Sequence, residues 1–135
     1  MAETGVVRVR WRDRQLFEGG AADRPPILVD GESAAATSPV ELLLVAAATC
    51  TGTDVVSILL KQRVVLGSLE VRASGTRRDT HPRRYTALRF EFVVAGAGAT
   101  EPKVRRAIDL SLEKYCSVVA SLAPDIAVSY DLVLR

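Results

Sequence analysis

Val6, Val7, Val9 and Trp11 are interleaved with Arg8, Arg10 and Arg12 at the start of the chain, and this near-alternation of apolar and charged positions predicts a first strand. Arg12-Asp13-Arg14 suits a tight turn into Gln15-Leu16-Phe17. Gly19-Gly20 interrupts the pattern, and Ile27-Leu28-Val29-Asp30 reads as a third short strand. Residues 31–37 are small and polar, a linker inside one domain spanning residues 1–135.

The period then changes. Ser38-Pro39-Val40-Glu41 places Ser at an N-cap, Pro at the first helical position and Glu at the third, which is a capping box. A helix follows to about Arg63, roughly 25 residues and about 37 Å long. Residues 42–48 are apolar on every side of it. One small sheet covers only one face of such a helix, so a second copy of the chain is expected to cover the other. From Gly67 a long hairpin is predicted, with Leu69, Val71 and Ala73 alternating with Glu70 and Arg72 and returning from Tyr85. Its tip is read as residues 75–84, holding four arginines, His81 and Pro82. Thr100 is a plausible N-cap for a second helix carrying Val104, Ile108, Leu112, Tyr115 and Val119 on one stripe. Pro124 closes the helical region, and a last strand runs from Ile126. The order βββ-α-ββ-α(α)-β is α+β.

Composition narrows the class. The 135 residues are 48% hydrophobic and 25% charged, a globular balance, and a formal charge of +2 is too small to imply a polyanionic partner. No nucleic-acid role is expected of the paired arginines, because neither an aromatic platform nor a reading helix accompanies them. The N-terminus lacks the basic and apolar regions of a signal peptide. The longest uncharged run, residues 42–53, is too short for the roughly 20 residues of a membrane span. The expectation is a cytoplasmic protein with no membrane partner.

In that setting Cys50 and Cys116 rest as thiols. No pair among Cys50, Cys116, His81 and Asp54 has ligand spacing, so no metal is expected. Gly96-Ala97-Gly98 lacks the third glycine and the βαβ context of a nucleotide loop.

The segment SPVELLLVAAATCTGTDVV, with EKYCSVVASL placing the second cysteine 66 residues after the first (116 − 50), resembles the OsmC/Ohr family. The likeness runs from the third strand to Tyr130. Cys-Thr-Gly-Thr-Asp and His81-Pro82 look closer to the less characterised OsmC-like branch than to dedicated organic-hydroperoxide resistance enzymes. The resemblance implies an intertwined homodimer, with sheets wrapped around paired central helices and the cysteines near the interface. It implies a peroxidatic Cys50, a resolving Cys116 and regeneration by an external dithiol such as a lipoyl group, with no bound cofactor. A small hydrophobic ligand held in the dimer groove of a non-catalytic or slow protein is the alternative.

One part of the family pattern is missing. A glutamate ten residues before the cysteine, holding an arginine, is expected there; that position is Val40. Glu41 lies on the opposite helix face and serves as the capping-box residue, and Arg24 is the one arginine the sequence offers in its place. Asp54 is one helical turn from Cys50, where a carboxylate opposes thiolate formation unless a cation neutralises it.

Overall fold

The computed structural model describes residues 2–135, in the order β1 (Arg8–Asp13), β2 (Leu16–Gly20), β3 (Ile27–Asp30), α1 (Pro39–Lys61), β4 (Val65–Arg77), β5 (Tyr85–Ala97), α2 (Glu101–Leu110), a π-turn (Ser111–Tyr115), α3 (Ser117–Ala120) and β6 (Ala127–Leu134). This is the α+β order read from the sequence. The strands form two three-stranded sheets, β1-β2-β3 and β4-β5-β6. Two compact units result, one ending at Leu43 and one running from Leu44 to Arg135.

In the first unit β1–β2 and β2–β3 pair antiparallel. Arg14 turns the chain between β1 and β2 with φ 51°, and its carbonyl accepts the Trp11 indole N–H at 2.8 Å. Asp30 is buried at the end of β3 and organises the linker. Its carboxylate accepts the backbone N–H groups of Glu32, Ala34 and Ala35 at 2.8, 3.2 and 2.8 Å. Residues 31–37 are therefore a structured turn. The capping box is reciprocal: Ser38 N–H donates to Glu41 Oε1 at 3.0 Å, and Glu41 N–H donates to Ser38 Oγ at 3.2 Å. Trp11 and Val9 are about two-thirds exposed.

The second unit holds the core. Leu88, Phe90, Phe92 and Val94 alternate along β5 and are all buried, as the period of two requires. Ala47, Thr51, Val55 and Leu59 repeat every four residues on α1 and are fully buried, as are Val104, Ala107 and Ile108 on α2. β5 pairs with β4 antiparallel and with β6 parallel. Tyr130 on β6 fastens that strand to α2: its hydroxyl donates to Asp109 at 2.7 Å, and Arg105 lies 5.6 Å over its ring.

Two expectations need correction. The hairpin tip is shorter than residues 75–84, because β4 continues to Arg77. Gly75 stays in the strand beneath the Tyr85 ring, where an added Cβ would come within 2.3 Å of the ring carbon Cε1. At the tip Arg77 and Arg78 donate to the carbonyls of Arg83 and Pro82, and Arg84 pairs with Asp125 at 2.7 Å. The stripe on the second helix is also broken. Val104 and Ile108 are buried, but Tyr115 is half exposed and Cys116 takes the inward position. The cause is the π-turn: Cys116 N–H donates to Ser111 O at 2.7 Å, five residues back, which adds one residue to that turn.

By length and composition α1 is apolar enough to cross a membrane. The twelve-residue uncharged run ends at Asp54, but the helix continues seven residues beyond it. In the single chain large apolar residues of α1 outside its buried stripe are open, with Leu43, Val45 and Leu60 exposed by 42%, 50% and 57%.

Candidate active site

Cys50 sits mid-way along α1, partly exposed. The capping box starts this helix and Thr51, the next residue, points into the core. Cys116 lies between the π-turn and α3, buried to 4% exposure, and acts as the N-cap of α3 with its sulfur accepting Val119 N–H at 3.5 Å. The fold brings the two thiols close enough that the Cys50 sulfur acts on the Cys116 thiol. Thr51 Oγ1 donates to Cys116 Sγ at 3.3 Å. Adjacent residues of one helix therefore neighbour the second sulfur, Cys50 partly exposed and Thr51 buried and bonded to it.

Burial pushes the Cys116 thiol above its ordinary value. The Thr51 hydroxyl and the Val119 amide act in the opposite direction by stabilising the thiolate, while the neighbouring Cys50 sulfur adds to the rise. Burial wins.

Asp54 meets a hydroxyl. Its Oδ2 accepts Ser111 Oγ–H at 2.8 Å, and Ser111 is fully buried at the first position of the π-turn. Within residues 44–135 no lysine or arginine pairs with Asp54. The Asp54–Ser111 bond and the Thr51–Cys116 bond tie the π-turn to consecutive turns of α1. Both pairs are separated by more than fifty residues in sequence, so spacing could not reveal them. A buried serine at a helix end is the one local hint.

Two of the other sequence candidates, Glu41 and Arg24, have their own partners. Glu41 accepts from Ser38 and, at 2.9 Å, from the Ser33 hydroxyl; the Ser38 backbone amide foremost, then these hydroxyls, hold its carboxyl below the ordinary range. Arg24 lies 3.7 Å from Asp23 in an exposed loop. His81 is at the hairpin tip. Among the described residues no group of three or more His, Cys, Asp or Glu side chains could hold a metal ion.

A cleft of about 510 Å³ is lined by Asp54, Ser57, Ile58 and Lys61 of α1 and by Arg106, Leu110 and Tyr115. The helical period places Cys50 on the same face of α1 as the cleft residues Asp54, Ser57 and Lys61, one turn before the first of them. A second groove, about 480 Å³, runs between α1 and β4 on the other side, lined by Ala48, Thr49, Gly52, Thr53, Val56, Leu69 and Val71.

Comparison with known proteins identifies the family and the fold. Residues 30–131 match the family described as OsmC-like protein. The chain is 43% identical over 129 residues to Protein YhfA of Escherichia coli K12, covering 93% of this chain and 96% of that one. The crystal structure of a hypothetical protein from Aquifex aeolicus superposes with a TM-score of 0.86 at 28% identity, covering 99% of both chains. An organic hydroperoxide resistance protein OsmC from Legionella pneumophila shares the fold, with a TM-score of 0.67 at 13% identity over 98% of each chain. The chain belongs to the OsmC-like protein family.

Proposed function

We propose that this protein is a thiol-dependent peroxidase that reduces organic hydroperoxides, with Cys50 as the peroxidatic residue, Cys116 as the resolving residue and a dithiol as reductant. Membership of the OsmC-like family supports a redox or peroxidase-related role. The observation that carries the finer reading is the meeting of a partly exposed thiol with a buried one, brought from opposite ends of the second unit. The Cys50 thiolate attacks the outer peroxide oxygen, the O–O bond breaks, and an alcohol leaves. Cys50 becomes a sulfenic acid. The Cys116 thiolate then attacks the Cys50 sulfur, water leaves, and a disulfide forms. An external dithiol such as a lipoyl group restores both thiols, which requires a reducing, cytoplasmic setting.

The working form in this reading is a homodimer. Leu43, Val45 and Leu60 on α1, and Val9, Trp11 and Ile27 in the first sheet, are large apolar residues at least 42% exposed in the single chain. Apolar surface on that scale calls for a cover, and a second copy with the same unpaired surfaces provides one.

One observation favours the slower reading, a binding protein for a small hydrophobic molecule. Asp54 is held by a hydroxyl, so within its own unit the carboxylate beside Cys50 is not neutralised by a cation. A peroxide-consumption assay with dithiothreitol, and then with a lipoyl dithiol, separates the two. Turnover of cumene hydroperoxide that depends on Cys50 is expected. Saturable ligand binding with no peroxide loss would establish the slower reading.

A further inference from the structure

The geometry points to Thr51 as a catalytic residue of the thiol–disulfide cycle: its hydroxyl stabilises the Cys116 thiolate, both when that sulfur attacks and when it is expelled. This rests on the proposed disulfide between Cys50 and Cys116.

Thr51 is fully buried, and its Oγ1–H donates to Cys116 Sγ at 3.3 Å. A threonine hydroxyl in a helix can donate to the carbonyl four residues back, as the exposed Thr49 and Thr53 do on this same helix, bonding Val45 O at 2.6 Å and Thr49 O at 2.8 Å. Thr51 spends its proton on a sulfur instead. A thiol sulfur is a weak acceptor and a thiolate a strong one, so the bond gains strength as Cys116 loses its proton. The second donor, Val119 N–H, is longer at 3.5 Å. The titratable group facing Cys116 is Cys50; Asp54, one turn further along α1, is bonded to Ser111. A sulfur this deeply buried would otherwise resist becoming an anion.

A thiolate of the external dithiol attacks Cys50 Sγ in the disulfide. A bond forms between the reductant sulfur and Cys50, the Cys50–Cys116 bond breaks, and its electron pair goes to Cys116 Sγ. Thr51 Oγ1–H and Val119 N–H meet that charge until the sulfur is reprotonated. The second thiol of the reductant then attacks the reductant's own bound sulfur, releasing Cys50 as a thiolate and leaving the reductant as a cyclic disulfide. Exchange is faster the more stable the departing thiolate, so loss of the donor slows it. In the forward direction the same bond raises the fraction of Cys116 available to attack the Cys50 sulfenic acid.

Two measurements on the full chain test this. In a Cys50→Ala background, where Cys116 is the one remaining cysteine, the pH midpoint of iodoacetamide alkylation is measured with Thr51, Thr51→Val and Thr51→Ser. Valine is close in shape but lacks the donor, so its midpoint should move upward, and serine should restore it. In the wild-type pair the disulfide is formed with diamide and its reduction by dithiothreitol is followed; Thr51→Val should be slower by at least about threefold and Thr51→Ser should recover. An unchanged midpoint in Thr51→Val overturns the inference. A midpoint that shifts equally with serine also does, since that would mark a packing role. Should valine prevent folding, Thr51→Ala supplies the same comparison. If diamide yields no Cys50–Cys116 disulfide, the proposed peroxidase cycle fails, while the alkylation profile still judges the hydrogen bond alone.

Discussion

Cys50 and Cys116 occupy opposite kinds of structure. Cys50 stands on a regular helix opened by a reciprocal capping box, partly exposed on the helix face that carries Asp54, Ser57 and Lys61. Cys116 follows a π-turn, is buried, and has its sulfur bonded by Thr51 and Val119. A regular helix holds a nucleophile still while leaving its approach open. An irregular turn re-aims one side chain into the core that a continuous helix would have sent elsewhere. The contrast supports the proposed roles, in which the accessible sulfur would meet the peroxide and the buried one the other sulfur.

Exchanging the two cysteines for serine breaks the contrast most severely. Cys50→Ser should lower peroxide turnover by at least about a hundredfold, because no nucleophile remains at the open position. Cys116→Ser should still react once and then carry a sulfenic acid on Cys50 that dimedone labels. Labelling on Cys116 in the Cys50→Ser protein would reverse the roles.

The exposed side of α1 offers the next test. Val45→Arg places a charge where a second copy is proposed to pack. Light scattering of wild-type protein should give twice the 14.6 kDa chain mass across a dilution series, and the variant should lose that species or its solubility. A wild-type monomer at every concentration would remove the dimer from the account.

The π-turn can be loosened by itself. Ser111→Ala deletes the donor to Asp54 at a fully buried position and should cost about 1–3 kcal/mol in urea unfolding. Loss of stability without slower disulfide formation would show that the turn supports the fold and does not aim Cys116. Replacing the acid addresses Cys50 from the other side. Asp54→Asn removes a negative charge one turn away and should speed alkylation of Cys50 several-fold at neutral pH. Slower alkylation would mean that a cation from outside the second unit is held there.

Much of this contrast lies beyond a one-dimensional pattern. The capped α1, the β5 alternation through Phe90 and Phe92, and the α+β order are encoded by local periodicity and by Ser38-Pro39-Val40-Glu41, so they are readable residue by residue. The π-turn is not, since SLEKY has ordinary helical composition and its extra residue appears only once Ser111 finds Asp54 and Cys116 finds Thr51. The same holds for the small-residue linker. Its order comes from the Asp30 carboxylate collecting three amides, foremost that of Ala35, and these hold its carboxyl below the ordinary range.

Those two shifted groups give opposite pH trends, the smallest effects expected. Asp30 binds its proton less readily when folded, so its contribution is present above the unfolded carboxyl value and is lost as pH falls through the lower folded one. Cys116 keeps its proton when folded at a pH where the unfolded chain has released it. Its contribution is full below the unfolded thiol value and declines as pH rises toward the higher folded one. Thermal unfolding of reduced Cys116→Ser should therefore lose part of the alkaline decline and keep the acid one; an identical alkaline limb would show that Cys116 titrates alike in both states.

The most direct test of the whole account is to treat reduced protein with one equivalent of cumene hydroperoxide and identify the product by peptide mass analysis. Loss of both thiols and an intramolecular Cys50–Cys116 disulfide are expected. Two thiols still free after the peroxide is consumed, or a sulfenic acid on Cys50 that persists with Cys116 intact, would contradict it.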